Sequence, residues 1–170
     1  KPWLMMTMVT STIVLTISLP MSSEAKKGKS RQVVAVLDLK NKARAPGNII
    51  AVLTESIREV VSHLSTRKYR VMTKENMLDF MPPDAEAVLC KQKCEVQTGR
   101  VLGVHWLISG EVYRFGRQYR VVLKMHNVVD GNLVGEITVR SRRLNSLEKP
   151  LQVGIRKILR KNRFIIQDHH

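Results

Sequence analysis

The 170-residue chain carries 29 Lys and Arg against 14 Asp and Glu, a net charge of +15, with 44% hydrophobic residues and two cysteines. That suffices for one domain with a buried core, and its positive field attracts polyanions such as nucleic acid, anionic lipid headgroups and acidic glycans without choosing among them. A zinc site would need two ligands beyond the cysteines, and His63, His105 and His126 form no ligand-spaced pair, so no metal and no cofactor is expected.

Lys1 precedes an apolar run from Trp3 to Leu19, then Pro20 and Ser23-Glu24-Ala25. A cation, an apolar stretch and small residues at minus three and minus one read as a secretory signal cleaved after Ala25. A retained inner-membrane anchor over residues 3–19 is the competing reading. Crossing a bilayer takes about 20 apolar residues, and this run is shorter and diluted by Thr7, Thr10, Ser11, Thr12, Thr16 and Ser18. No cysteine follows the cleavage point to accept a lipid, so a periplasmic location is expected, with nucleic acid the least available polyanion. Cleavage removes one cation and one anion, Lys1 and Glu24, leaving the charge at +15.

Residues 26–31 read as a basic linker. Val33-Val34-Ala35-Val36-Leu37 is a continuous apolar run, the pattern of a strand covered on both faces, and it ends at Asp38. Ile50, Leu53, Ile57, Val60, Val61 and Leu64 recur at steps of three and four and predict a helix. Tyr69 and Val71 alternate with Lys68, Arg70 and Met72 as a second strand. Thr73-Lys74-Glu75-Asn76 then starts a helix whose apolar side is Met77, Leu78, Phe80 and Met81, stopped at Pro82-Pro83.

Cys90 and Cys94 flank Lys91-Gln92-Lys93. In an oxidising compartment this pair can close a small disulfide loop, which a regular helix would admit only after local distortion. A redox dithiol more typically has two intervening residues. A helix through Gly99 to Gly103 follows. His105 to Phe115 and Tyr119 to Val129 read as a hairpin turning at Gly116-Arg117, with Tyr119, Val121, Leu123 and Met125 on one face and Arg120, Lys124 and His126 on the other. Asp130-Gly131 marks a tight turn into a third antiparallel strand, in which Leu133, Gly135, Ile137 and Val139 alternate with Glu136, Thr138 and Arg140. Leu151, Ile155, Ile158 and Leu159 share a face of a last helix, and Arg156, Lys157, Arg160, Lys161 and Arg163 cover much of the rest.

The chemistry-bearing motifs point away from catalysis. Gly99-Arg100-Val101-Leu102-Gly103 lacks the Lys-Ser/Thr of a phosphate loop, and Ser109-Gly110 lacks the preceding Gly of a nucleophile elbow. Asp38 ends a strand, where a crevice carboxylate could sit, yet turn and cap roles are commoner there. No acid, base and nucleophile set emerges, so the chain is read as no enzyme.

Val34-Ala35-Val36-Leu37-Asp38-Leu39, Tyr69-Arg70-Val71-Met72-Thr73-Lys74-Glu75, Cys94-Glu95-Val96-Gln97-Thr98-Gly99-Arg100-Val101-Leu102-Gly103, Ile108-Ser109-Gly110-Glu111-Val112 and Val128-Val129-Asp130-Gly131-Asn132-Leu133-Val134 occur in that order. Together, over residues 32–163, they resemble the exported bacterial domain shared by the curli-secretion pore protein (CsgG), the N-terminal domain of TolB and related envelope lipoproteins. Within that resemblance Gly103, Gly110 and Gly131 are structural: a helix end, close packing on the sheet and a hairpin turn. The chain departs from the pore protein in lacking a lipid-acceptor Cys and long amphipathic hairpins, and it has Thr98 where the family usually has an apolar residue.

The expected architecture is one α/β domain with a mixed sheet in β-α-β-α-α-β-β-β-α order, followed by a tail over 164–170. The expected function is a non-enzymatic periplasmic scaffold or assembly factor that binds other exported envelope proteins, in a secretion, motility or cell-wall machine, as a homo-oligomer or ring or otherwise. The alternative is a polyanion-binding module that contacts anionic lipid, glycan or nucleic acid through Arg140, Arg142, Arg143, Arg156, Lys157, Arg160, Lys161 and Arg163. A solvated helix face is the plain reading of those cations.

Overall fold

The structure is a computed structural model that describes residues 30–80 and 94–166. The apolar run from Val33 to Val36 forms β1 (Gln32–Val36), and both of its faces are buried, as a run without alternation requires. Val34 and Val36 enter one core cluster, Val33 and Ala35 the other. The Leu37 amide still donates to the Ile108 carbonyl at 2.9 Å; the ladder breaks at Leu39, whose amide is taken by Thr54 Oγ1 at 3.2 Å, and resumes as the two-residue β2 (Lys40–Asn41).

Helix α1 (Gly47–Ser62) starts earlier than its apolar periodicity indicates, directly after Pro46. Ile50, Leu53, Ile57, Val60 and Val61 are its buried face. Its buried Thr54 and Ser56 hydroxyls are satisfied by donating back to the Ile50 and Leu53 carbonyls, both at 2.9 Å. Strand β3 (Tyr69–Val71) then pairs parallel with β1, so β1, α1 and β3 form the helical crossover that the sequence predicts.

Helices α2 (Lys74–Phe80) and α3 (Cys94–Val101) lead into the long strand β4 (Trp106–Phe115). In α2 only Met77 is buried; Leu78 and Phe80, expected on the apolar side, are exposed among the described residues. β4 runs parallel to β1 through Trp106–Ile108 and parallel to β2 through Glu111–Val112. β1 and β2 are therefore one interrupted strand lying along β4. The meander follows as β5 (Gln118–Asn127) and β6 (Asn132–Ser141), both antiparallel, with turns at Gly116 (φ +55°) and Gly131 (φ +71°). Met125 pairs with Gly135 and His126 with Leu133, which leaves Val134 as the extra residue of a bulge.

The sheet order is β3-β1-β4-β5-β6. Helix α4 (Glu148–Lys161) closes the domain beside α1 on one face of the sheet, burying Leu151, Ile155, Ile158 and Leu159 as their spacing predicts. α4 lies very close to β6: a Cβ on Gly154 would stand 2.1 Å from Ile137 Cδ1, and one on Gly135 2.7 Å from Ile158 Cγ2. Phe164, at the start of the predicted tail, is buried, stacked on Tyr69 at 4.8 Å and edge-on to Trp106 at 5.1 Å. α2 and α3 lie on the opposite face over a smaller core of Val33, Ala35, Met77, Leu102, Val104, Leu107 and Val128.

Candidate functional site

A crevice at the carboxyl ends of parallel strands is where an α/β sheet would hold chemistry, and Asp38 is there. It is locked in an ion cluster. Arg58 donates to Asp38 at 2.6 Å, to Glu55, and to the Val36 carbonyl at 3.2 and 3.4 Å, while Lys74 Nζ lies 3.3 Å from Asp38. Burial raises the Asp38 pKa, but the Arg58 hydrogen bond and charge, together with Lys74, outweigh it and hold the carboxyl below its ordinary range. The cluster ties the end of β1 to α1 and keeps Asp38 ionised near neutral pH. Among the described residues no group of three metal-ligating side chains gathers anywhere.

The second face of the sheet is covered unevenly. α2 and α3 bury its β1 side and the start of β4; the rest of the meander face is uncovered by the described residues. By the strand register its rows run from the buried Ser109 beside Lys124 and Glu136, through Glu111 beside Val122 and Thr138 and Tyr113 beside Arg120 and Arg140, to Phe115 beside Gln118. Phe115 is 57% exposed. Arg120 sits 4.8 Å from its ring centroid, and the Tyr113 ring lies 6.1 Å from it. The Tyr113 hydroxyl donates to Glu111, and that hydrogen bond, with burial and the Glu111 charge, raises the phenol's pKa. Arg120 and Arg140 are direct cross-strand neighbours of like charge, which is unfavourable without an anion between them. Aromatic and Arg side chains on an uncovered sheet are what protein interfaces use as anchors.

At the covered end of the same face, Ser109 Oγ and His126 Nδ1 are buried without a hydrogen-bond partner among the described residues. Burial lowers the His126 pKa; Glu95 on α3 partly opposes this and Lys124 adds to it. His126 thus shares the predicted face with Arg120 and Lys124, but inside the protein.

The predicted cations fall into separate places. Arg140 lies on the open meander face, because Ile137 and Val139 on the alternate register turn toward α4. Arg142 and Arg143 are exposed in the connection after β6, and Lys157, Arg160 and Lys161 are exposed on the outer side of α4 around Val153, with Arg156 half-buried. Arg163 is exposed with φ +60° just past the helix. Arg140 and the α4 cations therefore do not form one surface. Gly103 has φ +63° at the end of α3, where only a residue without Cβ is unstrained. Cys90 and the Cys94 side chain, and with them the disulfide, lie outside the described residues, as does the segment 1–25. The meander anchors Tyr113 and Phe115 are absent from the sequence reading of the site; their alternation with Leu107, Ser109 and Glu111 along one strand face was the available signal.

No family model matches the chain, and no curated protein matches it. Solved structures with a related backbone include the LpoB C-terminal domain from Salmonella enterica, at 11% identity over 70% of this chain and 88% of that one, with a TM-score of 0.48. Lipoprotein GNA1162 from Neisseria meningitidis is 12% identical over 74% of this chain and 95% of its own, with a TM-score of 0.46. TolB from Acinetobacter baumannii is 10% identical over 79% of this chain and 30% of its own, with a TM-score of 0.46. Among the described residues no helix is long and apolar enough to cross a membrane.

Proposed function

We propose that this chain is a non-enzymatic module of the bacterial cell envelope that binds other exported proteins through the open face of its meander. The observation that carries the reading is the uncovered patch of Tyr113, Phe115, Arg120 and Arg140 on a rigid three-stranded support. A partner that brings an apolar surface and a carboxylate would cover Phe115 and compensate the Arg120–Arg140 pair in one contact. Export is supported by the apolar run and small residues before Lys26. The test is crosslinking in intact cells with the chain carrying Phe115→Ser and Arg120→Ser. Phe115 is exposed and Arg120 half-buried against its ring, so stability should fall by no more than about 1–2 kcal/mol in all, while the crosslinked partners should be lost. An unchanged partner set would reject the surface.

The polyanion reading keeps one favouring observation: Lys157, Arg160 and Lys161 are exposed on α4 and have no ion pair among the described residues. Contact of that helix with anionic lipid or glycan would weaken steeply as salt rises, whereas a Phe115-centred protein contact would not.

A further inference from the structure

Among the described residues strand β3 is an edge of the sheet, paired only with β1. The Met72 amide donates to the Val34 carbonyl and the Gln32 amide to the Lys68 carbonyl, each at 2.8 Å. Because peptide groups alternate along a strand, Lys68, Arg70 and Met72 use their backbone groups toward β1, and Tyr69 and Val71 turn theirs away. The Tyr69 amide is taken by the Ser65 carbonyl at 2.9 Å. The Tyr69 carbonyl and both backbone groups of Val71 thus face a groove of about 630 Å³ between β3 and α1, whose wall includes Ser62, Tyr69, Val71, Thr73 and Glu75.

The lip of this groove is strongly basic. Arg31 and Arg70 line it, and Arg67 and Lys68 precede Tyr69 along the chain; all four are exposed and have no ion pair among the described residues. The nearby acids Asp38 and Glu55 are already neutralised by Arg58 and Lys74, which leaves Glu75 as the remaining acid in the groove wall among the described residues. Cations at an edge strand ordinarily protect against pairing between copies, and two chains of charge +15 do repel one another. The same charges attract an extended segment of opposite sign, and strand addition supplies the backbone hydrogen bonds.

We propose that the β3 edge binds an extended acidic peptide of a partner protein, which adds as a strand against Tyr69 and Val71 while its carboxylates meet Arg31, Arg67, Lys68 and Arg70. This site stands on residues separate from the meander face. The probe is a fluorescein-labelled decapeptide of alternating Val and Glu, followed by anisotropy with the full chain, with amide exchange read at Val71 by NMR. Binding should slow Val71 exchange at least tenfold, since a buried interstrand amide opens far less often than a solvated one. Arg67→Gln, Lys68→Gln and Arg70→Gln together should weaken binding roughly tenfold or more, and the alternating Val and Lys decapeptide should not bind. Absence of binding would overturn the proposal. Binding with unchanged Val71 exchange, or displacement of the peptide by phosphatidylglycerol vesicles without Val71 protection, would assign the cations to surface electrostatics alone and overturn it as well. Phe115→Ser with Arg120→Ser should leave peptide affinity unchanged, which separates a failure here from a failure of the meander reading.

Discussion

Gly110→Ala tests whether the close packing at the centre of the sheet is real. The added methyl would stand 2.6 Å from Leu123 Cδ2, 2.6 Å from Leu39 Cδ2 and 3.0 Å from the Val122 carbonyl oxygen. Comfortable carbon contacts are about 3.5–4.0 Å, so the overlap approaches an ångström on two buried leucines, and the third neighbour is backbone that moves only with β5. Replacing a strand glycine with alanine gains about 0.5–1 kcal/mol of chain entropy. Overpacking a filled core costs about 1–3 kcal/mol, so a net loss of about 1–2 kcal/mol is expected. Urea unfolding reads it as a lower midpoint at unchanged slope. The double variant with Leu39→Ala makes the test specific. Leu39→Ala alone should cost about 2–5 kcal/mol, yet it also removes one of the two clashing methyls, so the pair should cost less than the sum by about 1 kcal/mol. A Gly110→Ala protein as stable as the parent, or strict additivity with Leu39→Ala, would refute the reasoning.

Ile155→Asp should destabilise by about 3–5 kcal/mol or abolish folding, because a fully buried side chain of α4 is lost and an unpaired carboxylate takes its place; circular dichroism melts check it. Lys157→Gln, Arg160→Gln and Lys161→Gln together should leave the melting temperature nearly unchanged, since solvated charges contribute little; a drop of many degrees would mean that α4 depends on them. His126 predicts a pH effect. Its folded pKa lies below the unfolded value near 6.5, so the unfolded chain binds more protons there, and stability is full above that value and falls as pH drops through it. His126→Leu should flatten this part of the stability profile on the acid side of neutral, and an equally steep profile in the variant would place the titration elsewhere.

The fold was legible where hydrophobic period and burial coincide. Val33 to Val36 could be read as doubly covered because both neighbours of the strand bring helices, and Leu151, Ile155, Ile158 and Leu159 because one helix face meets one sheet. Two features escaped because hydrophobic spacing does not encode them. The break between β1 and β2 is made by Thr54, whose hydroxyl takes the Leu39 amide from the sheet, and no local pattern around Leu39 announces it. α1 begins at Gly47 rather than Ile50 because the Pro46 carbonyl accepts from the Ile49 and Ile50 amides at 3.1 and 3.3 Å, a backbone contact that the three-and-four spacing of the buried residues does not encode.

The site was less legible for a physical reason that bears on function. Sequence reading grouped cations by proximity along the chain and so joined Arg140 to Arg142, Arg143 and the α4 series. Alternation in β6 sends Arg140 to the face opposite α4, where its neighbour is Arg120, a residue twenty positions earlier. Charge that lies together along the chain therefore divides between a solvated helix and a sheet face that bears aromatic rings. The two surfaces respond to different perturbations. Salt acts on the exposed α4 cations with little else to hold a ligand there, whereas on the meander Phe115 and Tyr113 add an apolar term that salt does not screen. A partner retained at high salt by the parent chain and lost on Phe115→Ser is bound by the sheet, and one released by salt alone is bound by the helix.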